Sequence, residues 1–278
     1  MSGRVFSERR ALDVGNGRRR IDGFQLLARA GLIARAVVYA VIGLLAIDVA
    51  VGKGARQANQ QGALELIARQ TLGGFLLGLV AAGLAAYALW RLTHALLGRG
   101  PEERDSTSER LAAACSAVVY GAICVLAIKI LSGSGAGSGG AGAPSKDTAG
   151  VLGWPAGPVL VAIAGAILVG VGVYQAYKGL SKKFVEASRS GEMGERVRRA
   201  YSALGVFGHL GRAVVFVLTG YGVFRAAVDY EPRKAVGLDE ALRNLAQSSY
   251  GPVLLGLVAA GLIAFAAYSA ADARYRKV

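Results

Sequence analysis

Few charged residues interrupt the apolar stretches of this 278-residue chain, so those that do are its first candidates for chemistry. Asp48, Lys129 and Arg225 hold one equivalent place near the ends of three such stretches. They follow Arg35, Ser116 and Arg212, respectively, at one fixed spacing. Thirteen helical residues rise about 20 Å against roughly 30 Å of bilayer hydrocarbon, which leaves these charges roughly 5 Å inside it. Lys and Arg can snorkel out from that depth; Asp is too short and needs a partner, water or a proton. One expectation is an interhelical charge cluster in which Asp48 pairs with Lys129 or Arg225. The other is that both cations snorkel and Asp48 sits at a wet interface. Arg35 and Asp48 project about 220° apart on one helix, nearly opposite faces, which argues against a continuous polar path.

Arg35 and Arg212, at the other end of their stretches, are expected to grip lipid phosphate, or else to cap carbonyls of a neighbouring helix. His94 and His209 read as residues near the membrane boundary rather than haem ligands. Cys115 and Cys124 lie on opposite helix faces and cannot share a metal or a disulfide. The Gly-rich stretch Ser132–Ala143 is no phosphate loop, because no Lys/Ser pair on a helix follows it; it reads as a flexible outer loop. No Ser/His/Asp arrangement stands out. No catalytic residue, metal or cofactor is expected.

The elements that carry these residues are membrane helices. Hydrophobic residues make up 54% of the chain and charged residues 18%, with mean hydropathy +0.43. Six segments are long and apolar enough to span, near 30–51, 72–97, 111–131, 157–178, 209–229 and 251–271. The stretch that precedes the first of them, with Arg at 4, 9, 10, 18, 19 and 20, reads as a polar tail and not as a cleaved signal peptide. Alternate connections then carry 19 basic residues on one side and 7 on the other, which assigns both termini to the cytoplasm. The net charge of +14 is thus topogenic and suits anionic lipid headgroups on the cytoplasmic side. A soluble basic module for nucleic acid is absent.

The chain repeats itself. Leu77-Gly-Leu-Val-Ala-Ala-Gly-Leu84 recurs letter for letter as Leu255–Leu262. Arg35-Ala-Val-Val-Tyr39, Ser116-Ala-Val-Val-Tyr120 and Arg212-Ala-Val-Val-Phe216 open the odd spans, and Trp90, Tyr174 and Tyr268 match in the even ones. The expected architecture is all-α: six transmembrane helices as three tandem hairpins of one orientation, in a pseudo-threefold ring or a linear row. A basic tail covers 1–26, and the repeats cover 27–108, 109–205 (with a linker) and 206–278. Close packing is expected at Gly74 and Gly78, at Ala162, Ala166 and Gly170, and at Ala260 with Ala264. Short amphipathic helices are expected in the outer connections at Ala63–Ala68 and Ala241–Ala246, lying on the membrane or folding over the bundle. The middle connection, Val151-Leu-Gly-Trp-Pro155, looks less helical. The linker Ser181–Arg199 suits anionic lipid or a solvated connection.

The segments Ala28–Tyr39, Gly208–Phe216 and Ala273-Arg-Tyr-Arg-Lys277 resemble the family called domain of unknown function 1206. The resemblance covers about residues 24–277, with Ser116 and Ala112 departing from the motif in the middle unit. It implies a bacterial, mostly actinobacterial, plasma-membrane protein of three repeated helix pairs, and it implies no activity. The function expected is a noncatalytic scaffold or accessory protein that contacts lipid and either a second copy or another membrane protein. A small-solute or ion transporter or channel is the alternative, and a membrane-embedded enzyme ranks third.

Overall fold

The computed structural model describes residues 3–53, 57–97, 107–134 and 143–276. Ten α-helices occur among them: α1 (Gly3–Ala50), α2 (Gln60–Ala68), α3 (Gly73–Leu97), α4 (Thr107–Leu131), α5 (Ala143–Leu152), α6 (Gly157–Leu180), α7 (Lys183–Glu186), α8 (Glu195–Val228), α9 (Leu238–Ala246) and α10 (Gly251–Tyr275). Six are long and apolar enough to cross a membrane: α1 from Leu26 onward, α3, α4 from Arg110, α6, α8 and α10. In hydrocarbon every backbone polar group must bond within its own segment, which makes such apolar runs helical. The chain is a multi-pass membrane protein of three helix pairs, α1/α3, α4/α6 and α8/α10.

The spans pack in one continuous series: α4 on α3, α3 on α1, α1 on α10, α10 on α8, and α8 on α6. Each even helix meets the odd helix of the next repeat, cyclically, which is a threefold pattern. It is broken at one seam, because no comparable interface joins α4 to α6, the two helices of the middle repeat. Burial falls away toward that seam. The spans of α1 and α10 are 56% buried, those of α4 and α6 only 28% and 22%.

The three repeats also share a corner. A short helix ends, a tight turn follows, and a glycine opens the next span, with Gly73, Gly157 and Gly251 donating N–H to Gln70, Trp154 and Ser248 oxygens at 2.8, 2.9 and 2.8 Å. A Cβ at these glycines would lie only 1.9, 1.9 and 2.1 Å from carbonyl oxygens of Ala68, Val151 and Ala246. The middle repeat therefore does have its short helix: α5 corrects the weaker helicity expected there, and it ends before the Trp154-Pro155 pair on which that expectation rested. Helices α2 and α9 fold over the bundle, with Leu64 and Leu242 fully buried. Asp239 of α9 accepts the Ala58 N–H at 2.7 Å and Arg243 Nε at 2.9 Å, tying the outer connections of repeats 1 and 3. Of the Gly-rich loop, residues 135–142 lie outside the described residues.

Apolar burial does not draw helices together in lipid; close backbone approach does. Of the small residues expected to provide it, Ala264 is buried and Ala162 half-buried, while the closest approaches are made by others. Gly165, Gly172 and Gly179 of α6, spaced by seven, face Gly220, Ala213 and His209 of α8, and Gly211 of α8 faces Gly261 of α10. Nothing approaches within 4 Å of a Cβ at Gly74, Gly78 or Gly170, and Ala166 and Ala260 are exposed. Small-xxx-small patterns occur on every face of such helices, and only the face meeting a neighbour uses them.

Candidate functional site

At the end of the bundle where the basic residues concentrate, α1, α3, α8 and α10 converge on one buried polar network. Arg35 of α1, 5% exposed, is at its centre. Its Nε donates to Ser269 Oγ of α10 (3.1 Å) and its Nη1 to the Tyr87 hydroxyl of α3 (3.0 Å), while Nη2 lies 3.7 Å from Asp272 Oδ2. Asp272, 1% exposed, accepts Tyr201 OH of α8 on Oδ1 (2.9 Å) and Arg276 Nη1 on Oδ2 (3.0 Å). Arg91 adds two donors to the Tyr87 oxygen, from Nε at 3.0 Å and Nη2 at 2.9 Å.

Three guanidinium groups thus share one carboxylate and the hydroxyl beside it. A buried cation without a counterion is costly, and aromatic faces make up the deficit. The Arg35 guanidinium carbon lies 5.4 and 5.0 Å from the Tyr87 and Phe265 ring centroids, and Arg91 and Arg276 lie 5.0 and 5.2 Å from that of Trp90. Beside the network, Phe184 stacks on His209 at 5.2 Å between centroids, with Phe265 and Tyr268 edge-on to the His209 ring. Backbone contacts seal the end: Arg189 N–H donates to Tyr275 oxygen at 2.7 Å, and Ser188 bridges Arg276.

The expected lipid contact at Arg35 is corrected by this geometry: its guanidinium turns into the bundle, where Asp272 offers charge that a phosphate would otherwise supply. His209, expected near the boundary, is 4% exposed and bonds Gly205 oxygen at 2.7 Å. Arg212 is half-buried, 5.0, 5.3 and 4.4 Å from the Tyr39, Phe216 and Phe265 centroids, and its buried Nε has no hydrogen-bond partner among the described residues.

Asp48, Lys129 and Arg225 are all exposed, and no ion pair joins them among the described residues. Arg225 is paired one turn along its own helix end, with Asp229 at 2.8 Å, and Lys234 reaches the same carboxylate oxygen at 2.9 Å. The expected interhelical cluster is therefore absent, because a partner one turn away reaches Arg225 first. Cys115 is exposed and Cys124 buried, its Sγ 3.4 Å from Ala81 oxygen.

Sequence reasoning missed Asp272, Tyr87, Ser269, Tyr201 and Arg276. One signal was available. At one fixed spacing after the corner glycines Gly73, Gly157 and Gly251 stand His94, Lys178 and Asp272, a single acidic residue where the other repeats carry basic types.

Chemically, the network is a clamp in which only Arg35 Nη2 and Arg276 Nε are buried without a hydrogen-bond partner among the described residues. Asp272 accepts from two donors and faces a third, and Ser269 Oγ donates to Phe265 oxygen at 2.7 Å. Among the described residues no group of three or more His, Cys, Asp or Glu side chains could hold a metal.

Comparison with known proteins supplies family and no activity. The chain is 30% identical over 244 residues to "Uncharacterized protein YxxB" of Bacillus subtilis (strain 168), covering 87% of each chain. No solved structure matches. The family described as Domain of Unknown Function (DUF1206) matches in three segments, residues 30–98, 111–182 and 207–276, one for each helix pair. With three matches over most of its length, the chain belongs to the DUF1206 family.

Proposed function

We propose that this protein is a noncatalytic scaffold or accessory protein of the bacterial plasma membrane. Its basic end and both termini face the cytoplasm, a placement that the 19-to-7 division of Lys and Arg supports. It acts through contacts with anionic lipid and with a second copy or another membrane protein. The observation that carries this reading is the clamp itself: Arg35, Tyr87, Tyr201 and Asp272 fasten four helices from two repeats, with polar groups engaged in holding the bundle. Leu32, Leu77, Leu84, Leu255 and Leu262 fill the adjoining core at 0 to 1% exposure.

The test is flux. The full chain reconstituted in liposomes is expected to leave ion and small-solute leakage at the rate of empty liposomes. A saturable flux dependent on the protein would overturn the scaffold. One observation favours the transporter as a second reading: α4 and α6 of the middle repeat share no comparable interface and are the least buried spans, so their exposed faces could line a solute path. Cross-linking α4 to α6 through introduced cysteines would abolish flux of that origin.

A further inference from the structure

We propose that the groove between the α6–α7 turn and the basic end of α8 holds one anionic glycerophospholipid. Lys182 and Arg198 take its headgroup phosphate, and Val206, Phe207 and Leu210 take the upper part of an acyl chain. This rests on the membrane placement given above, with the basic end toward the cytoplasm, and it names the lipid contact of that reading.

The groove has a volume of about 730 Å³, within the roughly 300–1,000 Å³ of small-molecule sites. Its polarity is graded along one helix. Arg198 to Leu210 spans about 18 Å of helical rise, running from cations through Ser202 to exposed or half-buried apolar side chains. A phospholipid changes in the same order, from phosphate through glycerol to hydrocarbon. Helix α8 can offer this because it has 34 residues against 25 in α10, so its first turns extend past the hydrocarbon into the headgroup layer.

Two cations of the groove are available. Arg199 pairs with Glu195, and the Lys183 ammonium sits 5.1 Å from the Tyr177 ring centroid. Lys182 and Arg198 form no ion pair among the described residues, and both line the groove. Lys182 is also held in the left-handed region, φ 55°, a conformation that favours glycine. Phe184, two residues on, is buried against Gly205 and anchors that turn to α8. Apolar groove residues carry the other half: Phe207 is 41% exposed beside cations that a hydrocarbon chain alone would not need. A free phosphate would use the cations and leave Phe207 idle, so the complete site fits a lipid.

The experiment titrates the full chain in a zwitterionic detergent with phosphatidylglycerol, phosphatidylcholine or inorganic phosphate, reading bound lipid by native mass spectrometry. Wild type is expected to retain phosphatidylglycerol over phosphatidylcholine, with no retention of phosphate. Each cation removed weakens anionic-lipid binding about five-fold, so Lys182→Gln with Arg198→Gln loses roughly 25-fold. Phe207→Ser weakens both lipids, whereas Arg233→Gln, at the opposite end, changes neither. Equal retention by wild type and the double variant overturns the site, as does phosphate competing as strongly as the lipid. Helical content by circular dichroism verifies folding, and either single variant, at five-fold, replaces a double variant that does not fold. If liposome flux appears while the lipid preference and its loss persist, the scaffold falls and the groove stands; the reverse result separates them the other way.

Discussion

Repeats 1 and 3 carry the same motif arginine in two different settings. Arg35 and Arg212 both begin an Arg-Ala-Val-Val-aromatic string, and both lie against the aromatic that follows a corner glycine at one fixed spacing, Tyr87 and Phe265 respectively. In the packing series, however, each odd helix also faces the even helix of the preceding repeat. For Arg35 that helix is α10, with Asp272; for Arg212 it is α6, where Lys178 takes the same register position. Arg35 is consequently drawn in, paired and buried, while Arg212 stays half-buried on aromatic faces. In repeat 2 the arginine is replaced by Ser116, whose hydroxyl turns back to Ala112 oxygen at 2.7 Å. The one arginine thus has two outcomes, set by the cyclic neighbour, and the middle repeat has a third because the residue itself is changed.

The contrast can be broken most severely at Asp272. Asp272→Asn leaves Arg35 and Arg276 buried without a counterion, and unfolding in detergent is expected to show a loss of about 3–5 kcal/mol. An effect below about 1 kcal/mol would mean that the aromatic faces alone hold the cations. Next comes Gly211→Val, which forces a side chain onto the Gly261 backbone, 2.8 Å from a Cβ, and is expected to cost about 1–3 kcal/mol. Arg212→Met gives up aromatic contacts only, and about 0.5–1 kcal/mol is expected. A double-mutant cycle sharpens the comparison. With Lys178→Asp in place, Arg212→Met should cost more than in wild type, by a coupling of at least about 0.5 kcal/mol. Zero coupling would show that register position does not decide the arginine's state.

The smallest effect belongs to the exposed pairs at the opposite end. The Lys234 ammonium, and then the Arg225 guanidinium, hold the Asp229 carboxyl below its usual value. A depressed carboxyl stabilises above its unfolded value, near about pH 4, and that contribution is lost as pH falls through the folded one. Amide protection at residues 229–235, measured against the intrinsic exchange rate at each pH, should therefore fall in acid below about pH 4, and Asp229→Asn should remove the step.

The spans and the repeats were legible because each is written in contiguous residues: hydropathy marks a span, and an identical octapeptide marks a repeat. The outer helices were legible at Leu64 and Leu242 for the same reason. The clamp was not, because Arg35 and Asp272 belong to the first and last repeats, and only the packing of α10 on α1 brings them together. Asp48 and Lys129 drew notice as charges within apolar stretches, yet both side chains are exposed. Arg225 found its partner just past the end of its span, at Asp229, where depth arguments do not look. The small-residue seams were hidden differently: Gly74 and Gly78 have the familiar spacing, while the working series Gly165, Gly172 and Gly179 follows a period of seven, and a sequence does not say which face meets a neighbour.

Packing of the last span on the first has a consequence for synthesis. Arg35 belongs to the first span made and Asp272 to the last. At about 5–20 residues per second, the ribosome makes Arg35 roughly 12 to 47 s before the carboxylate it pairs with. During that interval the first hairpin holds an arginine whose counterion does not yet exist, leaving Tyr87 as its nearest support. The buried charge of Arg35 therefore waits on a helix made long after its own, and the α1–α10 contact is among the last that the growing chain can form.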